Sequence, residues 1–362
     1  MYLTLTQILR HFVSKELTEE RWKQMRDRDE LTCVTSLFWN FIPYHALRVA
    51  ISAGLFDELE RQDEISSSEL ADRMGWKLRP AERLFEILEI IGLTRKTAGG
   101  ITLSDQSRHW LVKASPTYIG SYLKRTSLLE DAYQNLEHCL RTDMPDVPLQ
   151  AATQKAFGLS ADANLGDIIE FGEILSATST PVAKSFFEIA TIPATASVLD
   201  VGAGTGIFTK MLLDQGHIGS VHFLDTPLVC DVVRPLLAEY ESKISWLPVD
   251  WNHWRHSQSH DVIFLHHALH EEKVVDAERL FSECARSLNR NGIMYVIGIF
   301  EAGIEDKNNL AQYFGMNIVL ETGGDNTSLE GLRSLARRLS LQECMLKPLP
   351  GGRTLWAARQ SG

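Results

Sequence analysis

The feature that most constrains this chain is a change of hydrophobic period near Ser197. Beyond it come five short apolar or β-branched runs: Val198–Asp200, Val221–Asp225, Ile244–Val249, Asp261–Leu265 and Ile293–Ile299. Helical segments at Phe208–Asp214, Cys230–Glu241 and Val274–Leu288 separate most of them. Strands that alternate with helices return to one sheet in the same direction, so the reading is α/β, a parallel sheet with helices on both faces. Leu341–Leu346 and Thr354–Ala358, joined through Pro350-Gly-Gly352, predict a closing antiparallel hairpin.

Upstream the period is helical. Ala46, Val49, Ala50, Ala53 and Leu55 mark one face of a helix near Tyr44–Leu59. Ser66 and Glu69 form a capping box that opens a short helix ending at Gly75. Pro80 lies in a first helical turn, and Leu84, Ile87, Leu88 and Ile91 then make a stripe that stops at Gly92. Two β-prone pieces around Gly99-Gly100 follow, which gives the helix, helix, helix, hairpin order of a winged helix. In residues 61–105 acidic and basic side chains nearly balance, whereas a DNA-reading helix needs excess positive charge. Leu31, Val34, Phe38 and Phe41 form a further apolar stripe, with Leu37 beside it. The expected divisions are residues 1–115, a helical and winged-helix unit; 116–192, a helical connector; and 193–362, the α/β domain.

Composition enters as exclusion. A chain of 362 residues with 44% apolar and 23% charged residues can bury a large core, which excludes a disordered or fibrous chain. Its net charge of −11 repels phosphate backbones, so neither nucleic acid nor a membrane is an expected partner. No run of roughly 18 uncharged apolar residues is present to span a bilayer. Cys33, Cys139, Cys230, Cys284 and Cys344 are scattered and odd in number, and read as free buried thiols in a reducing, cytoplasmic setting.

The first strand of the α/β half runs into Asp200-Val-Gly-Ala-Gly-Thr-Gly206. Gly202, Gly204 and Gly206 permit a tight turn and close approach of a ligand to the main chain. Asp225 ends the next strand, where a carboxylate can accept both hydroxyls of a ribose. Asp250-Trp251 follows the third strand and pairs an acceptor for an exocyclic amine with a ring able to cover a purine face. These three consecutive strand ends together supply what a nucleoside needs.

On these residues the chain resembles the class I S-adenosylmethionine-dependent methyltransferases. With its winged N-terminal half and Leu265-His-His-Ala-Leu-His-Glu271 after the fourth strand, it is similar to the dimeric O-methyltransferases of plant and bacterial small-molecule pathways. The resemblance implies a Rossmann-like catalytic domain, an N-terminal dimerisation domain, a homodimer, S-adenosylmethionine as cofactor and a small aromatic or conjugated acceptor. It implies a cofactor site at Asp200, Gly202, Gly204, Gly206, Asp225, Asp250 and Trp251. Leu269-His270-Glu271 matches the step carrying the family's general base, so His270 is the expected catalytic base with Glu271 beside it. Asn317, in Gly315-Met-Asn-Ile318, matches a substrate-facing asparagine; Met316 and His267 join it as expected substrate contacts.

The sequence also departs from the family. Gly298 and Asn326 occupy positions where relatives commonly carry glutamates that orient the base. Methylation of an activated carbon, or a non-methylating reaction on the same scaffold, is therefore an alternative. His266, His267, His270 and Glu271 could approach a cation if helical, with Glu301 or Glu321 as a further ligand. The order is not His-Glu-x-x-His, so no metal site is expected.

Overall fold

The structure, a computed structural model, describes residues 35–251, 253–269, 274–301 and 309–360. The chain forms two compact units, Met1–Ser115 and Pro116–Gly362. Cys33 and the Leu31 and Val34 positions of the N-terminal stripe lie outside the described residues.

In the first unit, helices α1 (Phe41–Ser52), α2 (Leu55–Glu60), α3 (Ser67–Arg73) and α4 (Leu78–Ile90) precede a hairpin of β1 (Thr94–Lys96) and β2 (Ile101–Leu103), then α5 (Asp105–Trp110). The single helix expected near Tyr44–Leu59 is split, because Gly54 adopts φ +75° and ends one helix as it opens the next. Ser66 Oγ accepts from the Glu69 amide at 3.2 Å, but the Glu69 carboxylate accepts from Arg73 at 2.7 Å, so only one arm of the expected box forms. Gly75 and Gly92, both at positive φ, stop α3 and α4 where the sequence places the stops.

The second unit begins with α6 (Tyr122–Gln134), α7 (Leu136–Thr142), α8 (Val147–Ala156) and α9 (Leu165–Ile189). The sheet then enters as β3 (Val198–Val201), α10 (Ile207–Asp214), β4 (Val221–Asp225), α11 (Pro227–Val233), β5 (Ile244–Pro248), β6 (His260–His266), α12 (Val274–Arg286) and β7 (Leu288–Gly298). Helices α13 (Leu310–Glu321) and α14 (Leu329–Arg338) lead to β8 (Leu341–Leu349) and β9 (Arg353–Gln360). The helix expected over Cys230–Glu241 ends at Val233 and continues as a 3-10 segment over Arg234–Lys243. Pro235 accounts for this, since it lacks an N–H and its ring crowds the preceding turn.

Strand order is β5-β4-β3-β6-β7-β9-β8, with the first five parallel and the last two antiparallel. Alternation sends Val198, Phe223, Val262, Phe264 and Tyr295 to one face, under Val182, Phe186 and Phe208. Leu199, Val201, Ile263, Leu265, Met294 and Trp356 point to the other, under Phe281, Cys284 and Leu332. Phe186 on α9 is fully buried and meets the rings of Phe208, Phe264 and Tyr295 edge-on or tilted, with centroids 5.1–5.5 Å apart. With both faces covered, the one part of the sheet left for chemistry is the C-terminal edge of its parallel strands. Cys139, Cys230 and Cys284 are free and buried as expected; Cys344 is instead exposed, because it lies on the edge strand β8.

Candidate functional site

The loop between β3 and α10 carries three glycines at φ +61°, +54° and +72°, Gly202, Gly204 and Gly206. Each is required for a different reason. A Cβ on Gly206 would stand 2.9 Å from Val233 Cγ1 and 3.3 Å from the Phe223 ring, so this glycine lets α10 pack on the sheet. A Cβ on Gly202 would meet Ala268 Cβ at 3.3 Å. At Gly204 the nearest atom is the Gly202 carbonyl oxygen, 3.9 Å away, so the loop presents bare backbone to open space there.

Asp225, at the end of β4, ties the loop to the neighbouring strand. Its carboxylate accepts from the Gly204 amide at 2.8 Å and from the Thr226 amide at 2.7 Å. Asp200 is buried inside β3 and accepts from Thr209 Oγ1 at 2.7 Å. Burial pushes the Asp225 carboxyl up to about 7 and that of Asp200 up to about 6, with the negative charges of Asp200 and Asp250 adding to the rise at Asp225. Asp250 lies just past β5 and pairs with His253 Nδ1 at 3.1 Å. Trp251 beside it is buried, meets the Phe157 ring edge-on at 6.5 Å, and accepts from Arg279 through its carbonyl. A loop with open backbone at Gly204 and the three clustered acids Asp200, Asp225 and Asp250 suits a ligand that offers ribose hydroxyls and a positive sulfonium.

A prediction follows from Asp225. A carboxyl raised to about 7 holds its proton more tightly than in the unfolded chain, so the stability of the unliganded protein falls as pH rises from about 4 to about 7. Hydroxyl donors need the ionised form, so nucleoside affinity has the opposite dependence. It should fall by up to about tenfold per pH unit below about 7, as calorimetric titration with S-adenosylhomocysteine would measure. Affinity that stays flat from about pH 5.5 to about pH 8 would contradict this role.

On the acceptor side, β6 ends at His266, whose ring packs 4.7 Å from that of Phe208. His267 follows at φ +55°, a conformation uncommon away from glycine, with its amide donating to the Ile297 carbonyl. Its Nε2 accepts from Arg353 Nε at 2.8 Å, which fixes the neutral tautomer with hydrogen on Nδ1. His267 lines a small pocket together with Gly298, Phe300 and Asn326. A Cβ on Gly298 would touch the Phe300 ring at 3.2 Å, which means that ring occupies the space a larger residue would need. Asn326 Nδ2 donates to the Ala311 carbonyl, leaving its buried Oδ1 without a partner among the described residues. Asn317 accepts from the Tyr133 hydroxyl at 2.6 Å, and both Asn317 and Met316 are half-buried on α13.

His270 and Glu271 lie outside the described residues. Glu321, considered as a metal ligand, is committed elsewhere: its carboxylate pairs with Arg125 and accepts from Thr153. Sequence reasoning missed Arg353 and the Arg125–Glu321 pair. The signal for Arg353 was present, a cation opening an otherwise apolar strand directly after Gly351-Gly352.

Comparison with known proteins agrees with this geometry. Residues 198–292 match the family described as methyltransferase domain. The chain is 24% identical over 298 residues to 3-hydroxy-5-methyl-1-naphthoate 3-O-methyltransferase of Streptomyces sahachiroi, covering 82% of this chain and 85% of that protein. Its fold is similar to an O-methyltransferase family protein from Burkholderia thailandensis (TM-score 0.73, 18% identity, 92% of this chain and 98% of that one). It is also similar to CalO1, a methyltransferase in calicheamicin biosynthesis, in its SAH-bound form (TM-score 0.77, 18% identity, 91% and 98%).

Proposed function

We propose, from the premise that the chain is a class I S-adenosylmethionine-dependent methyltransferase, that it methylates a hydroxyl oxygen of a small aromatic metabolite. The observation that carries this reading is the open face of Gly204 beside the buried carboxylate of Asp225. The Streptomyces relative, named for an O-methylation of a hydroxynaphthoate, supports oxygen as the acceptor atom.

The bound cofactor supplies a methyl group on a sulfonium, with a neutral thioether as leaving group. The chain's own residues do the rest. Gly204 leaves room for the ligand, Asp225 and Asp250 accept its polar hydrogens, and the clustered acids favour its positive charge. A ring hydroxyl with pKa ~10 stays protonated at neutral pH, and an imidazole with pKa ~6.5 can take that proton as attack proceeds. We assign this role to His270, because the Nε2 lone pair of His267 is already engaged by Arg353. A second reading makes His267 the base once an acceptor draws Arg353 away; its place in the lining of a pocket with Gly298 and Asn326 favours it.

Calorimetric titration with S-adenosylmethionine tests the cofactor site. Gly204→Val places a side chain in the open space and Asp225→Ala removes the hydroxyl acceptor. Each should weaken binding at least ~10-fold, ~1.4 kcal/mol or more. Unchanged affinity in both variants would end the assignment. Release of S-adenosylhomocysteine on addition of a hydroxyarene then tests the reaction.

We further propose that the chain works as a homodimer in the cytoplasm, its N-terminal apolar stripe covered by a second copy. In the single chain Leu37, Phe38, Trp39 and Phe41 are 65%, 70%, 62% and 56% exposed, a run of exposed apolar side chains that a second copy could cover. Light scattering at micromolar concentration should return about twice the 40.8 kDa of one chain. A mass near one chain would contradict the dimer.

A further inference from the structure

Arg353 opens β9, and the register Gly298↔Thr354 places it at the C-terminal edge of the parallel strands. Going across the sheet from the glycine loop after β3, the order is His267 after β6, Gly298 at the end of β7, then Arg353. Adjacent strands are spaced at ~4.8 Å, so the root of Arg353 stands three strands, ~14 Å, from the cofactor loop. Its guanidinium reaches back to His267. It is thus on the acceptor side of the site and not the nucleoside side.

Among the described residues its charge has no counterpart. Among the described residues no carboxylate lies within ion-pair distance of Arg353, whereas Arg125, Arg333 and Arg338 each have one. Burial holds its guanidinium down at about 10, and it is still charged at neutral pH. A half-buried cation facing a neutral imidazole is costly unless an anion completes it. Nε–H is spent on His267, and the two Nη groups, which meet no partner among the described residues, form a planar fork suited to a negatively charged oxygen. Two further polar atoms, Thr354 Oγ1 on the next residue of the strand and Asn326 Oδ1 in the pocket that His267 lines, are buried without partners among the described residues, which supports this edge as a place where ligand atoms belong.

We propose that Arg353 determines acceptor specificity by binding a negatively charged oxygen of the acceptor through its Nη groups while its Nε–H holds His267. The oxygen belongs either to a ring carboxylate or to an ionised ring hydroxyl. In the first case the reacting hydroxyl still gives its proton to a base. In the second the oxyanion itself attacks: the new C–O bond forms, the C–S pair returns to sulfur, and no proton is released in the site. The proposal rests on the methyltransferase reading.

Titration of the full chain preloaded with S-adenosylhomocysteine tests it. One arm compares 3-hydroxybenzoate with its methyl ester; the other compares 4-nitrophenol above and below its ionisation with phenol. The wild type should favour the anionic member of at least one pair by ~10–100-fold, the worth of a charge-assisted contact. The arm that shows the preference identifies its source. Arg353→Met should abolish the preference and Arg353→Lys should keep part of it. Equal affinity for charged and neutral members, no measurable binding of either anion, or a preference that survives in Arg353→Met would each overturn the proposal. Failure of the wild type to take up S-adenosylhomocysteine would sink the underlying methyltransferase reading instead, and this is measured first.

Discussion

His270→Ala is expected to lower the rate of S-adenosylhomocysteine release by ~10²–10⁴ while leaving cofactor affinity unchanged, the usual worth of a positioned base. His270→Gln should behave alike, because an amide keeps the hydrogen bonding but cannot take a proton. The wild-type rate should rise with pH through a group titrating near ~6.5, higher if Glu271 pairs with the imidazolium. Activity should resist chelators, since no cation is asked to hold the acceptor. Full activity in His270→Ala together with loss in His267→Ala would transfer the base role to His267. Loss on chelation with recovery on adding a divalent ion would point to carbon methylation through a metal-held enolate.

Glu321→Ala is expected to destabilise the protein by about 3–5 kcal/mol in urea unfolding of the full chain. Glu321 and Arg125 are 9% and 7% exposed at the side chain, and the pair joins α13 to α6. Thr153 on α8 bonds both partners at 2.9 and 3.0 Å, and the Arg125 guanidinium also lies 5.4 Å from the centre of the Phe171 ring on α9. Four helices therefore meet on one buried ion pair. Removing the carboxylate takes from a buried guanidinium the charge that faces it across this helix junction. Glu321→Gln should cost less, because an amide oxygen still accepts from both Arg125 and Thr153. A loss below about 1 kcal/mol in Glu321→Ala would mean that water reaches the pair and screens it.

The fold was legible because its signals are local. The switch of period near Ser197, the Gly75 and Gly92 stops and the place of Asp225 at the end of its strand all depend on residues a few places apart. The gathering of Asp200, Gly204, Asp225 and Asp250 at one edge was legible for the same reason, since parallel topology alone brings the ends of successive strands together. The acceptor half was not. His267 and Arg353 are 86 positions apart, and nothing near either predicts that they meet. The replacement of a family glutamate by Gly298 was visible as a letter, but the Phe300 ring filling its place is a matter of packing. The helix boundary at Val233 was missed because the apolar pattern continues past Pro235 while the backbone hydrogen bonding cannot.

The position of β9 has a consequence for synthesis. It is the last strand in chain order, yet it lies inside the sheet, hydrogen-bonded to β7 on one side and β8 on the other. A nascent chain that has released β8 but not β9 therefore carries two open strand edges, on β7 and on β8, and each can pair with a neighbouring chain on the same messenger. Between the emergence of Leu349 and that of Gln360 both of these edges stay unpaired. Both edges close when β9 pairs with β7 and β8, and the same pairing sets Arg353 beside His267 at the C-terminal edge of the parallel strands.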